Sequence, residues 1–96
     1  KQPASEPLSS VQYLNQGITY LNSGRHQDAL RDFEYVKQLD PGNKDVYYLI
    51  GQTYQRMNQL EQALAAYRQC TSGVYASVSQ SAVKKLEKRV GKVNEK

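Results

Sequence analysis

Histidine and cysteine, the side chains that most often perform acid–base and nucleophilic chemistry, occur once each in this 96-residue sequence. A catalytic thiol needs a base within hydrogen-bond reach. The helical pattern described below instead places His26 at an exposed turn and Cys70 on a buried face, where it fills a small core position. Patterns typical of metal sites, phosphate-binding loops and nucleophile elbows are absent from the sequence. We therefore predict that the chain is not an enzyme and uses no metal ion or cofactor.

Positive charge is concentrated at the C-terminal end. Residues 1–83 contain seven Lys or Arg and seven Asp or Glu, whereas residues 84–96 contain six basic residues and two acidic ones. Such a face attracts nucleic acid, anionic lipid or an acidic protein, although charged faces of terminal helices are commonly only solvated and positive charge near a helix C-terminus is favoured by the helix dipole. Because no aromatic side chain lies among these residues to stack on a base, the sequence argues against nucleic-acid binding and against a membrane-surface role. The candidate polyanion face is Lys84, Lys85, Lys88, Arg89, Lys92 and Lys96.

The overall composition is that of a soluble globular domain, with 39% hydrophobic and 23% charged residues. No apolar run approaches the roughly 20 residues of a membrane-spanning helix, and no hydrophobic segment follows Lys1 in the manner of a secretion signal. We expect a cytoplasmic protein. Since the sequence does not begin with Met, we also expect it to be part of a longer polypeptide.

A segment that recurs after 34 residues organises the chain. Self-similarity at this period is typical of stacked helix pairs. The sequence therefore predicts an all-α fold, an α-solenoid of two antiparallel helix pairs followed by a fifth, capping helix. The residues Tyr13, Gly17, Tyr20, Ala29, Leu30 and Phe33 recur as Tyr47, Gly51, Tyr54, Ala63, Leu64 and Tyr67.

Helix-start and helix-stop signals predict where these elements lie. Ser9 and Gln12, and again Ser77 and Gln80, have the spacing of a capping box, and Gly24 can end the first helix in the left-handed conformation. The expected helices span about residues 9–22, 26–39, 44–57, 59–71 and 77–94. The expected organisation is a flexible lead-in or linker over 1–8, a first repeat over 9–43, a second over 44–75 and the capping helix over 76–96.

The repeated residues resemble the motif of the tetratricopeptide repeat family. The first copy has Tyr13, Gln16, Gly17, Tyr20, Ala29, Phe33 and Pro41; the second has Tyr47, Ile50, Gly51, Tyr54, Ala63 and Tyr67. In two places the sequence departs from the motif: Gln16 stands where a large apolar residue is usual, and Tyr75 stands at the position equivalent to Pro41. We expect Gly17 and Gly51 to let the partner helix approach closely, with aromatic rings filling the space around each contact.

The fifth helix is expected to cover the apolar end of the array. Its stripe of Val83, Leu86, Val90 and Val93 would face Tyr54, Tyr67 and their neighbours, with the basic residues in water.

The resemblance implies a concave groove, lined by the first helix of each pair, that receives a peptide or helix of another protein. The alternative is that the lead-in or the fifth helix folds over Leu14 and Ile18 and makes them core. The candidate groove residues are Val11, Leu14, Ile18, Leu21, Tyr48, Leu49, Gln52, Gln55 and Arg56.

Some members of the family hold the C-terminal carboxylate of a chaperone with Lys, Asn and Arg side chains in this groove. In the present sequence the corresponding positions carry unsuitable residues, so we predict that such carboxylate-clamp peptides are not bound. These positions are Leu14, Ile18, Leu49, Ser79 and Val83.

The sequence thus predicts a protein–protein interaction module whose partner is another protein or peptide. The alternative is a structural or self-association role, in which the first repeat docks on a neighbouring domain or forms a weak homo-oligomer. Polyanion binding through the basic C-terminal helix ranks third.

Overall fold

The computed structural model describes residues 8–95, and the side chains of residues 8–91. Five helices follow one another, as expected from the periodicity, and the described part of the chain contains no strand. The fourth helix ends two residues earlier than predicted and the fifth begins one residue earlier. Residues 1–7, which form most of the expected lead-in, lie outside the described residues. The helices are α1 (Ser10–Asn22), α2 (His26–Leu39), α3 (Asp45–Arg56), α4 (Leu60–Gln69) and α5 (Ala76–Glu95).

The start of α1 follows the sequence signal. The Ser9 backbone N–H donates to Gln12 Oε1 at 2.8 Å, and the Gln12 backbone N–H donates to Ser9 Oγ at 3.2 Å, so both halves of the capping box form. After α1, Gly24 has a φ of 81°. The equivalent residue after α3 is Asn58, with a φ of 62°. Asparagine is among the few residues that adopt this left-handed conformation readily.

Close glycine contacts hold each helix pair together. A Cβ atom at Gly17 would lie 2.6 Å from Phe33 Cε1, and one at Gly51 would lie 2.7 Å from Tyr67 Cδ1. Both distances are well below the roughly 3.5–4.0 Å at which carbon atoms attract each other, so only glycine fits at either position. The expected wedging of both glycines is confirmed, and it sets the separation of α1 from α2 and of α3 from α4.

Two apolar clusters form the core. The larger one joins α1, α2 and α3, with Ala66 of α4, around the fully buried Phe33, and the smaller one joins α4 to α5 around Tyr67 and Leu86. Tyr48 and Tyr54 pack against both clusters and connect them. Cys70 is buried, as the sequence predicts.

The fifth helix lies against α4 and touches α3. Leu86 is buried against α4, with Val83 beside it, so these two residues of the predicted stripe pack where they were expected. Val90 is half-buried, and the Val93 side chain lies outside the described residues. The capping box expected at Ser77 is wrong, because α5 already begins at Ala76 and Ser77 lies inside its first turn.

The carboxylate of Asp45 anchors the segment that enters α5. Asp45 sits in the first turn of α3 and accepts hydrogen bonds from the backbone N–H groups of Val74, at 3.3 Å, and Tyr75, at 3.0 Å. The Tyr75 ring stacks on Tyr48 with centroids 4.3 Å apart. Tyr75 is equivalent in sequence to Pro41 of the first repeat.

Candidate partner-binding surface

The first helices of the two pairs, α1 and α3, present equivalent positions on one side of the array because the repeat relates them. Ile18 corresponds to Gln52, and Leu21 to Gln55, each 34 residues apart. Arg56 links the two helices directly, since its Nη1 donates to the Leu21 carbonyl oxygen at 3.3 Å. The C-terminal ends of α1 and α3 are therefore joined across this side.

The α1 half of the surface is apolar. Val11 is 62% exposed, whereas Leu14 and Ile18 are half-buried and pack against the larger core cluster. Leu21 is only 2% exposed. The expectation that Leu21 offers its side chain to a partner is therefore corrected: it belongs to the core, and only its carbonyl oxygen takes part in this surface.

The α3 half is polar and its side chains are tied together. Gln52 Nε2 donates to the Tyr48 hydroxyl at 2.9 Å, and the Tyr67 hydroxyl donates to Gln55 Oε1 at 2.7 Å. Gln52, Gln55 and Arg56 line a depression of about 290 Å³. These bonds fix the orientation of both amides, so each retains free N–H or oxygen atoms in a defined position beside the depression.

Leu49 was expected in the same groove but is only 6% exposed. It follows Tyr48 by one residue, which turns its side chain about 100° around the helix, into the cluster made with α1 and α2. Leu49 therefore holds the two pairs together and leaves the candidate set.

The phenol of Tyr67 stays protonated under ordinary conditions. Burial, and to a smaller degree the neighbouring Tyr48, raise the pKa of Tyr67 to about 12, while Arg56 acts in the opposite direction. A protonated phenol remains a hydrogen-bond donor, so the contact with Gln55 persists across the physiological pH range.

The structure also bears on whether α1 is covered. Among the described residues, α5 contacts α3 and α4 but not α1. The alternative in which the fifth helix folds over Leu14 and Ile18 is therefore wrong. The other proposed cover, residues 1–7, lies outside the described residues.

The two residues considered for catalysis, His26 and Cys70, lie on different helix pairs. His26 is the half-buried first residue of α2, and Cys70 follows α4, where its Sγ lies 3.8 Å from the Ser72 carbonyl oxygen. Within the described part of the chain, no three His, Cys, Asp or Glu side chains are grouped so that they could hold a metal ion. None of its helices is both long and apolar enough to cross a membrane.

Most of the expected basic face is solvent-exposed. Lys84, Lys85, Lys88 and Arg89 of α5 are all exposed, and none belongs to an ion pair formed among residues 8–91. The side chains of Lys92 and Lys96 lie outside the described residues.

Sequence reasoning missed the buried carboxylate of Asp32. This side chain is 2% exposed, and its Oδ2 accepts a hydrogen bond from Gln16 Nε2 at 2.9 Å. The equivalent residues of the second repeat are Ala66 and Ile50, both buried in the larger cluster. The signal was present in the sequence: both residues change from polar to apolar together between the two copies.

Comparisons with known proteins agree with this architecture. A family model described as tetratricopeptide repeat matches residues 20–71. The chain is 43% identical over 44 residues to the tetratricopeptide repeat and J domain-containing co-chaperone DNJ1 of Mycosarcoma maydis, covering 46% of this chain and 8% of that protein. It is 30% identical over 69 residues to the Fanconi anemia group G protein homolog of Mus musculus, covering 72% of this chain and 11% of that protein.

The chain spans about a tenth of the length of these two curated relatives. No solved structure matches it. The family match extends over more than half of the sequence and includes the second glycine contact, the turn between the pairs and most of both repeats. The chain therefore belongs to the tetratricopeptide repeat family.

Proposed function

We propose that this domain binds a peptide or a helix of a partner protein on its concave surface, the side formed by α1 and α3, as part of a longer polypeptide. Tetratricopeptide repeats generally mediate protein–protein interaction. The observation that carries the proposal is the depression lined by Gln52, Gln55 and Arg56, which the Arg56 hydrogen bond to the Leu21 carbonyl oxygen joins to α1. The apolar side chains of α1 are not covered by α5. An apolar strip next to a polar, partly hydrogen-bonded border is typical of a binding surface.

The two halves would contribute differently to binding. Val11, Leu14 and Ile18 offer apolar area, and covering a fully exposed side chain of this size contributes about 1.5–3 kcal/mol. Leu14 and Ile18 contribute less because they are already half-buried. Gln52 and Arg56 offer free N–H groups, which would select backbone carbonyls or polar side chains of the ligand and set its orientation. Since only two helices form the groove, we expect modest affinity for an isolated peptide.

A peptide selection with matched variants tests this proposal. Peptides are selected from a displayed random library on the wild-type chain, and their affinities are then measured for Val11→Glu and Leu39→Glu. The two variants make similar apolar-to-acid changes at similarly exposed positions, 62% for Val11 and 51% for Leu39, but Leu39 lies at the end of α2. We expect Val11→Glu to weaken binding about tenfold, corresponding to one lost apolar contact, and Leu39→Glu to leave it unchanged.

Amide NMR spectra locate the bound peptide independently of the variants. Perturbations at Ile18, Gln52 and Arg56 support the groove, whereas equal effects of the two substitutions, or perturbations confined to α2, contradict it. Sedimentation of the free chain separates this function from self-association: a dimer broken by Val11→Glu would mean that the same surface binds another copy.

A further inference from the structure

A second cavity, of about 400 Å³, lies between α4 and α5, away from the groove. Its volume falls within the roughly 300–1,000 Å³ typical of ligand pockets. Its apolar lining residues are Tyr67, Cys70 and the half-buried Val83. The cavity can therefore take one sizeable apolar group.

The rim of this cavity carries charge. Arg68 and Glu87 both line it and form an ion pair across α4 and α5, with Arg68 Nη2 lying 2.7 Å from Glu87 Oε2. This pairing largely neutralises the one acidic group at the rim. Lys84 also lines the cavity, and Lys88 lies one helical turn further along the same side of α5.

Four cations of α5 are spaced so that they repel one another. Lys84 and Lys88, and likewise Lys85 and Arg89, are spaced four residues apart, and like charges at this spacing destabilise a helix. They lie in the middle of Ala76–Glu95, whereas stabilisation of cations by the helix dipole is confined to the last turn. An acidic ligand would relieve this repulsion.

We propose that the cavity between α4 and α5 is a second docking site, which takes an apolar side chain of an acidic segment of a partner protein. The apolar anchor enters the cavity beside Val83, and the neighbouring carboxylates pair with Lys84 and Lys88. The site is separate from the groove, because the residues that line it belong to α4, α5 and the segment between them.

Another copy of this chain fits the site poorly. In α2, Asp28 already pairs with Arg25 and Arg31, and Glu34 pairs with Lys37. These acidic groups are therefore not free to form a cluster on the surface. A membrane also fits poorly, since the apolar stripe of α5 is buried against α4 and is not available for insertion into lipid.

Two neighbouring lysines offer a matched test. Lys84 and Lys85 are both exposed, but only Lys84 lines the cavity. The probe is a fluorescein-labelled peptide of alternating Glu and Asp with one central Phe, compared with the same peptide carrying Ala in place of Phe. Binding to wild type, Lys84→Glu and Lys85→Glu is measured by fluorescence anisotropy from about 50 to 300 mM NaCl, which spans Debye lengths of roughly 14 to 6 Å.

We expect the Phe peptide to bind at least about tenfold more tightly than the Ala peptide, the gain from burying one large apolar side chain. Lys84→Glu should weaken binding at least about tenfold and Lys85→Glu about threefold or less, since the second charge lies farther from the cavity. Bound peptide should perturb the amide resonances of Thr71 and Gln80, which also line the cavity, and leave those of Gln52 and Arg56 unchanged.

Three results would overturn the proposal. Absence of binding at low salt would exclude an acidic ligand. Equal effects of the two lysine substitutions, with no dependence on the Phe side chain and equal binding of a single-stranded DNA oligonucleotide, would show diffuse attraction of polyanions. Resonance changes confined to α1 and α3 would place the peptide in the groove instead. Because the groove residues are monitored separately, failure here leaves the proposed groove function standing.

Discussion

α1 and α3 hold equivalent places in the two helix pairs but have different surroundings. Among the described residues, α1 contacts α2 and α3, whereas α3 contacts all four other helices. Val46 and Ile50 of α3 are buried in the larger core cluster. The equivalent residues of α1, Gln12 and Gln16, are exposed.

This difference shows that each repeat makes two kinds of contact, one within its helix pair and one between pairs. The glycine and aromatic residues of the motif make the contact within each pair, and they are nearly the same in both copies. The contact between pairs involves other positions, such as Val46, which lies outside the motif, and Ile50, where the motif has a large apolar residue. Where no described helix packs against them, these positions are polar, so α1 has an outer face suited to water.

The opposite end of the array is closed in another way. Leu64 and Tyr67 of α4 remain apolar, and Leu86 of α5 packs over them. The outer side of α5 is then charged. Polar residues on the outer face of α1 thus limit exposed apolar surface at one end of the array, and the additional helix α5 does so at the other end. Arrays of repeats require a polar outer face at both ends.

Removal of α5 should have the largest effect. A chain ending at Ser72 exposes Leu64 and Tyr67, and losing the burial of two such side chains costs roughly 3–6 kcal/mol, comparable with the roughly 5–15 kcal/mol that stabilises a whole domain. We expect the shortened chain to unfold or aggregate, as followed by circular dichroism during heating. The milder change Leu86→Ala should lower the free energy of unfolding by about 2–5 kcal/mol.

An unchanged melting temperature for the shortened chain would contradict this account of α5. It would mean that α4, like α1, tolerates an open outer side, and the contrast between the two ends would disappear.

Substitutions in the Gln16–Asp32 pair, whose counterparts in the second repeat are Ile50 and Ala66, should have an intermediate effect on stability. Replacing Gln16 alone by Ile removes the amide that donates to the buried Asp32 carboxylate, and an unpaired buried acceptor costs about 1–3 kcal/mol. The double change Gln16→Ile with Asp32→Ala copies the second repeat and removes both polar groups, so we expect stability within about 1 kcal/mol of wild type. Urea unfolding of the single and double variants measures the coupling.

The control for this cycle is Asp32→Ala with Gln16 retained. If the effects of the two single substitutions simply add in the double variant, the pair is not coupled, and the polar contact between α1 and α2 is incidental to stability.

The sequence predicted the fold because its strongest signals concern contacts within a pair. The 34-residue period, Gly17, Gly51 and the capping box at Ser9 each report on local geometry or on a neighbour close in the chain. The helical pattern also predicted the burial of Cys70, and the apolar stripe of α5 predicted that this helix packs over α4.

The sequence could not separate core from surface on α1 and α3. Leu14 and Leu21 belong to the same apolar stripe, yet only Leu21 is fully buried. Periodicity shows which residues share a face, but how far a neighbouring helix covers that face depends on the angle between helices. The burial of Leu49 could in principle have been predicted from the sequence, because its counterpart in the first repeat, Asn15, is polar. The cavity beside α5 depends on the packing of Tyr67 against that helix, which no spacing in the sequence reports.

The smallest expected effect concerns Tyr67, whose counterpart in the first repeat is Phe33. Tyr67→Phe keeps the ring that packs on Gly51 but removes the hydroxyl that donates to Gln55, which should cost about 1 kcal/mol near neutral pH. Burial raises the pKa of Tyr67 from 10.0 to about 12. Because the pKa is higher in the folded state than in the unfolded state, this contribution to stability is fully present below pH 10 and declines as pH rises toward 12. The free energy of unfolding, measured by urea titration at increasing alkaline pH, should therefore fall more steeply for wild type than for Tyr67→Phe. Parallel decline of the two proteins would show that the Tyr67 hydroxyl is no more shielded from water than an ordinary surface phenol, and that the two repeats differ less at this contact than their sequences indicate.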